Sequence, residues 1–224
     1  MNGGKGLTKE EAEGYKIVLT ASATEMSDFF NNPFIAFVGG FSKGPIPLWL
    51  TRKQLYPPVE NNHNGTAKYA PYGLRKVEGV LLENGFDESD IAVVHPFNLD
   101  SFIGSNTKAV GISSMDPLGM GYVSKTYSSL IGGGEPMNAI EFRNLMRHRS
   151  LQTYKPKVIV GGAGAWQLEY KNVMKSYGVD CVVMGESETV VAELFVKAAK
   201  GESLPQVVHV NTSPKDEEIP TIKH

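Results

Sequence analysis

The chain has 224 residues, of which 41% are hydrophobic and 21% charged, and it carries a formal net charge of −2. This suits one globular domain with an elaborated end, or a domain with a smaller lobe. The near-neutral balance gives no reason to expect nucleic acid or an anionic membrane as a partner. The single cysteine, Cys181, excludes an intrachain disulfide and cannot by itself hold a cysteine-rich zinc or iron–sulfur site. The longest apolar runs, such as KVIVGG and DCVVMG, fall far short of the roughly 20 residues that cross a bilayer. The polar start MNGGKGLTKEEAEG lacks the apolar stretch of a signal peptide. A cytoplasmic protein is expected.

Residues 1–14 read as an N-terminal tail. YKIVLT (15–20) is a β-branched run of the kind expected of a buried strand, and the small polar loop ASATEMSD follows it. From Phe29 to Ala70 no helical period is sustained. This stretch carries Pro33, Pro45, Pro47, Pro57 and Pro58, several glycines and the polar run ENNHNGT. It reads as an irregular insertion, and long connections of this kind tend to be functional or disordered.

The regular pattern begins at Pro71. PYGLRKVEGVLLENGF puts Leu74, Val77, Val80 and Leu81 at helical spacing, with Gly85 placed to stop the helix. DIAVVHP reads as a strand over 91–94 and KAVGISS as another over 109–113. After a long glycine-rich connection, NAIEFRNLMRHRS predicts a helix with Ile140, Leu145 and Met146 inward. PKVIVGG is a strand over 157–161, and AWQLEYKNVMKSYG a helix closed by Gly178. DCVVMG is a strand over 181–184, and ESETVVAELFVKAAKG a helix with Gly201 behind it. Residues 201–224 read as a linker with at most one short strand, QVVHV.

Strands alternating with helices predict right-handed βαβ units and a parallel sheet. The five strands make the expected fold α/β: a flavodoxin-like, Rossmann-like, doubly wound domain over 15–200, with the irregular insertion 29–70 near its N-terminal end. Ligands of such sheets bind beyond the carboxyl ends of the strands. Those ends read TASAT, HPFNLD, SSMDPLG, GGAGA and GESE.

In VIVGGAGAW, Gly161 and Gly162 end a strand and Gly164 follows, so a ligand could approach the backbone without meeting a β-carbon. Amides at the next helix start would suit a phosphate or amide group. Tight strand-to-helix turning accounts for the same glycines equally well. The spacing is not the dinucleotide fingerprint, because the final glycine is missing and the turn follows the fourth strand. Ser113, Ser114, Met115 and Asp116 supply two hydroxyls and a carboxylate at the neighbouring strand end, or else a turn of their own. In GESE, Glu186 is open to either role and Glu188 reads as a cap at a helix N-terminus. Trp166 either covers a flat ligand or packs its helix on the sheet, the commoner use. His63, His95, His148, His209 and His224 are scattered, and none has a partner at metal-ligand spacing. Only His95 stands at a strand end, where a solvated loop histidine is the plainer reading, and His148 reads as a solvated helix end. No catalytic or metal-binding residue is assigned.

Taken in order, YAPYGLRKVEGVL, VVHPFNLD, GISSMDPLGMG, KVIVGGAGAWQL and YGVDCVVMGESE resemble the N-terminal domain of cobalamin-binding-type radical S-adenosylmethionine (radical SAM) proteins, over about residues 70–200. The resemblance implies a flavodoxin-like domain whose turns embrace the nucleotide tail of a corrinoid. Its pocket would hold Ser113, Ser114, Met115, Asp116, Gly161, Gly162, Ala163, Gly185 and Glu186. The DxHxxG motif of the classical cobalamin carriers, whose histidine is the lower cobalt ligand, is missing; the nearest loop reads HPFNLDSFIG. A bound cobalamin would therefore have no histidine from that motif. The CxxxCxxC of the family's catalytic domain is missing as well, and EEIPTIKH looks like the linker ahead of it. The resemblance thus implies a truncated protein or a split subunit, with [4Fe–4S] and S-adenosylmethionine belonging to a radical SAM catalytic domain in cis or in trans.

The leading expectation is an accessory domain of a radical SAM enzyme, binding cobalamin or a substrate and not catalytic by itself. Two others stay open. One is an independent α/β enzyme or binding protein for a small nucleotide or phosphorylated ligand. The other is an interaction module that docks through residues 29–70, which are rich in Phe, Trp and Pro.

Overall fold

The apolar runs assemble into one sheet of parallel strands: β1 (Ile17–Ala21), β2 (Ile91–Val93), β3 (Ala109–Ser113), β4 (Lys157–Gly161), β5 (Cys181–Met184) and β6 (Val207–His209). Their spatial order is β2-β1-β3-β4-β5-β6. The computed structural model describes residues 13–130 and 133–211. Most of the expected N-terminal tail and the end of the expected linker, His224 included, lie outside the described residues.

Because side chains alternate across a strand, each strand feeds two cores. On one face, Leu19, Val93, Ile159 and Val183 are covered by Leu74 and Leu81 of α2 (Tyr72–Glu83) and by Leu194 and Phe195 of α9 (Val191–Ala199). On the other, Val18, Val110, Val160 and Val182 lie under four helices. These are α3 (Leu99–Phe102), α5 (Met137–Met146), α6 (Arg149–Tyr154) and α7 (Trp166–Tyr170), which contribute Phe102, Phe142, Leu151 and Leu168. Burying each large aliphatic or aromatic side chain contributes about 1.5–3 kcal/mol, so two full faces hold the sheet from both sides. The doubly wound α/β expectation is met.

α2 also ends as its sequence predicts. Gly85 (φ 90°) lets the chain turn back, and the amides of Gly85 and Phe86 donate to the carbonyls of Leu82 and Leu81 at 3.4 and 3.1 Å. This is the pattern that satisfies the orphan carbonyls of a helix end.

Four expectations need correction. The sheet has six strands, not five, because the expected linker contributes β6. Val182 donates to the Gln206 carbonyl and Val210 to that of Met184, each at 2.8 Å. The stretch QVVHV, expected as at most one short strand within the linker, forms that strand at Val207–His209 by pairing with β5. Within the insertion 29–70 there are two 3-10 turns, Phe29–Asn31 and Ile35–Gly40, and one α-helix, α1 (Leu48–Leu55), and the glycine-rich connection after β3 contains α4 (Tyr122–Leu130). The only buried residue of α1 is Thr51, so it has no apolar stripe to read. In α5 the buried positions include Phe142, Leu145 and Met146, while Ile140 is only half-buried, because at about 100° per residue it falls on the side away from Phe142 and Leu145. Finally, the helix expected to run to Gly178 is split into α7 and α8 (Met174–Tyr177) around Asn172, whose φ of 52° is left-handed. Among the described residues no helix is long and apolar enough to cross a membrane.

Candidate functional site

A cleft of about 410 Å³ opens at the carboxyl ends of β3, β4 and β5, between α2 and α9. Its floor consists of Leu19, Gly111, Ile159, Val183 and Phe195. Gly111 stands opposite Leu19 and Ile159 in register, and a β-carbon there would lie 2.6 Å from Leu19 Cδ2 and 2.8 Å from Phe195 Cζ. The missing side chain is what lets the Phe195 ring settle on the strand.

Of the nine residues expected around a ligand, Ser113, Gly161, Gly162, Ala163, Gly185 and Glu186 line this cleft. Ser114, Met115 and Asp116 do not. Ser114 is buried, its amide donating to the Gly161 carbonyl and its own carbonyl accepting from Gly164, both at 2.8 Å. Met115 is exposed. Asp116 is a buried junction: its Oδ1 accepts from the Gly121 amide at 2.8 Å and from Gln167 Nε2 at 2.7 Å, and its Oδ2 accepts from the Ser124 hydroxyl. Its role here is to fix the turn.

The glycines likewise divide. At Gly162 (φ 94°) a β-carbon would lie 2.7 Å from the Ser114 carbonyl oxygen, and at Gly185 (φ 95°) 2.3 Å from that of Val210. These two serve backbone-to-backbone packing. Gly161 and Gly73 differ, since β-carbons there would have nothing nearer than the Val183 carbonyl oxygen at 3.8 Å and the Ser113 hydroxyl at 3.9 Å. They leave open the space above the floor.

Sequence reading missed Gly73, Lys76, Glu188 and Phe195 as cleft residues. The readable signal was that Gly73, Lys76, Val77 and Val80 share one helical face, which puts a lysine on the inward side of α2. Lys76 pairs with Glu188, whose side chain is 4% exposed, and lies 3.6 Å from Glu186, whose side chain is 58% exposed. Glu188, expected as a helix cap, therefore spends its charge on Lys76; α9 has no side-chain cap. Trp166 lines the wall, is 42% exposed, and meets the Tyr170 ring edge-on at 6.1 Å.

Among the described residues no group of three or more His, Cys, Asp or Glu is placed to hold a metal ion. His95, expected in solvent, is buried at 2% exposure. Its Nδ1 accepts from the Phe97 amide at 3.2 Å, and burial pushes its pKa down to about 4, helped by the Arg52 charge. His148 caps α6 by accepting from the Ser150 amide. At the end of β1, Glu25 accepts from the Met115 amide and the Ser22 hydroxyl, each at 3.1 Å; burial raises its pKa to about 7, with Asp116 adding to the rise. The insertion is tied down by Arg52, whose guanidinium grips buried Glu141 at 2.7 and 2.6 Å beside the Tyr56 hydroxyl at 2.9 Å.

No family model, curated protein or solved structure matches the chain. The cleft's role therefore rests on its own chemistry and on the sequence resemblance.

Proposed function

We propose that the chain is a cobalamin-binding-like accessory domain of a radical SAM enzyme, not catalytic by itself, whose cleft takes the nucleotide tail of a corrinoid. The observation that carries this reading is the cleft itself: an apolar-floored space at the strand ends, held open above Gly73 and Gly161, into which the Ser113 side chain faces. A flat uncharged ring suits such a floor, and one hydroxyl supplies a hydrogen bond that orients it. Leu19, Ile159, Val183 and Phe195 would contact the ring, and Ser113 its polar edge. The chemistry cobalamin supplies when bound is alkyl-group transfer, performed together with the catalytic domain.

Incubation with hydroxocobalamin followed by gel filtration tests the proposal. The expected result is corrinoid absorbance eluting with the protein. Gly161→Leu, whose β-carbon would meet nothing nearer than the Val183 carbonyl oxygen at 3.8 Å, should keep the circular dichroism of the wild type and lose the colour. A colourless wild-type protein with no thermal shift in cobalamin overturns the reading.

A further inference from the structure

We infer that Trp166 recognises the ligand of the cleft by stacking its indole on a planar heteroaromatic ring, and that this contact makes the site prefer a flat π-system over an apolar group of similar size. This rests on the cleft reading above and deepens it.

Among the described residues two aromatic side chains line the cleft, Phe195 and Trp166. Phe195 is 1% exposed and lies against the strand at Gly111, so its ring belongs to the floor. Trp166 stands at the wall with part of its indole uncovered. The ring contact it makes among the described residues is the T-shaped one with Tyr170, and its indole N–H donates to none of them. A tryptophan ordinarily buries its large apolar body and satisfies its single donor. Here both are left partly unspent beside an apolar space, which is how an aromatic that serves a ligand is disposed.

The backbone that carries the indole is fixed on both sides. Trp166 is the first residue of α7, and ahead of it the Gly164 amide donates to the Ser114 carbonyl at 2.8 Å. Behind it, Gln167 Nε2 donates to Asp116 Oδ1 at 2.7 Å, Gln167 Oε1 accepts from the Leu118 amide at 2.9 Å, and Leu168 is fully buried. Stacking therefore costs the freedom of two side-chain torsions and no loop ordering. The apolar floor gains from burying any apolar group that fits. An indole at the wall adds a preference for flat rings, because stacked aromatic pairs gain beyond the area they bury.

The chain has two tryptophans, and the other, Trp49, does not line the cleft. Trp49→Phe thus leaves Trp166 as the sole tryptophan emitter. Benzimidazole riboside is titrated into this variant with excitation at the red edge of the tryptophan band, where the riboside is transparent, and into the wild type, Trp166→Phe and Trp166→Leu by isothermal titration calorimetry. Trp166 emission should change saturably, with a midpoint that matches the calorimetric Kd. Trp166→Phe, which restores a flat ring, should bind within about twofold of the wild type, and Trp166→Leu, apolar but not flat, at least about threefold more weakly than Trp166→Phe. A side chain that merely fills the wall would not separate Phe from Leu. Calorimetric binding by the wild type with no change in Trp166 emission, or Trp166→Leu binding as tightly as Trp166→Phe, overturns the stacking while leaving the cleft reading intact. Failure of the wild type to bind the riboside overturns the cleft reading and this inference together.

Discussion

Gly162→Ala and Gly73→Ala should have opposite effects on stability although both glycines line the same cleft. At Gly162 the backbone has φ 94°, and the new methyl would lie 2.7 and 2.8 Å from the Ser114 carbonyl oxygen and amide nitrogen. Left-handed backbone costs about 1–2 kcal/mol for a side-chain-bearing residue, and forcing apart two well-packed turns adds about 1–3 kcal/mol. A loss of about 2–5 kcal/mol follows. Gly73 sits inside α2 with φ outside the left-handed region and 3.9 Å of clearance, so alanine there should stabilise the helix by up to about 0.5–1 kcal/mol. Urea denaturation of the two variants beside the wild type reads both numbers. For a domain of this size each kcal/mol moves the melting temperature by about 2–4 °C, which gives an independent check. If Gly162→Ala costs less than about 1 kcal/mol, or if Gly73→Ala costs as much as Gly162→Ala, the division of the glycines into turn-packing and space-keeping is wrong.

The pH dependence of stability should be nearly flat in the wild type because a half-buried carboxyl, Glu25, and a buried imidazole, His95, oppose each other. Glu25, held up to about 7, binds its proton more tightly when folded, so its contribution falls as pH rises from about 4.5 to 7; His95, held down to about 4, resists its proton when folded, so its contribution is lost as pH falls from about 6.5 to 4. Each is on the order of 3 kcal/mol. Denaturation from pH 4.5 to 7.5 should show stability rising with pH in Glu25→Gln and falling with pH in His95→Asn, and parallel curves for all three proteins would refute the assignment. Asp116→Ala removes the acceptor of three hydrogen bonds and should cost about 3 kcal/mol while leaving ligand affinity within about twofold under native conditions, since Asp116 does not line the cleft. A selective loss of affinity at unchanged stability would restore Asp116 to the site.

The sequence by itself determined β1 to β5 and the helices that carry an apolar stripe. β-Branched runs and Leu74, Val80 and Leu81 at helical spacing bury their side chains whatever the topology, and Gly85 stops α2 through local geometry. The same local signals put six of the nine expected residues at one cleft. Where segments lack a hydrophobic period, only the tertiary structure decided. β6 exists because β5 offers it hydrogen bonds, and α1 is held by Arg52 on Glu141, 89 residues away. The cleft's electrostatics needed the fold as well, since Lys76 and Glu188 meet only when α2 and the turn before α9 lie side by side on the sheet. Periodicity reports which side chains leave water. Pairings between polar groups distant in sequence depend on where the sheet places them, and they decided the status of Ser114, Asp116 and Glu188.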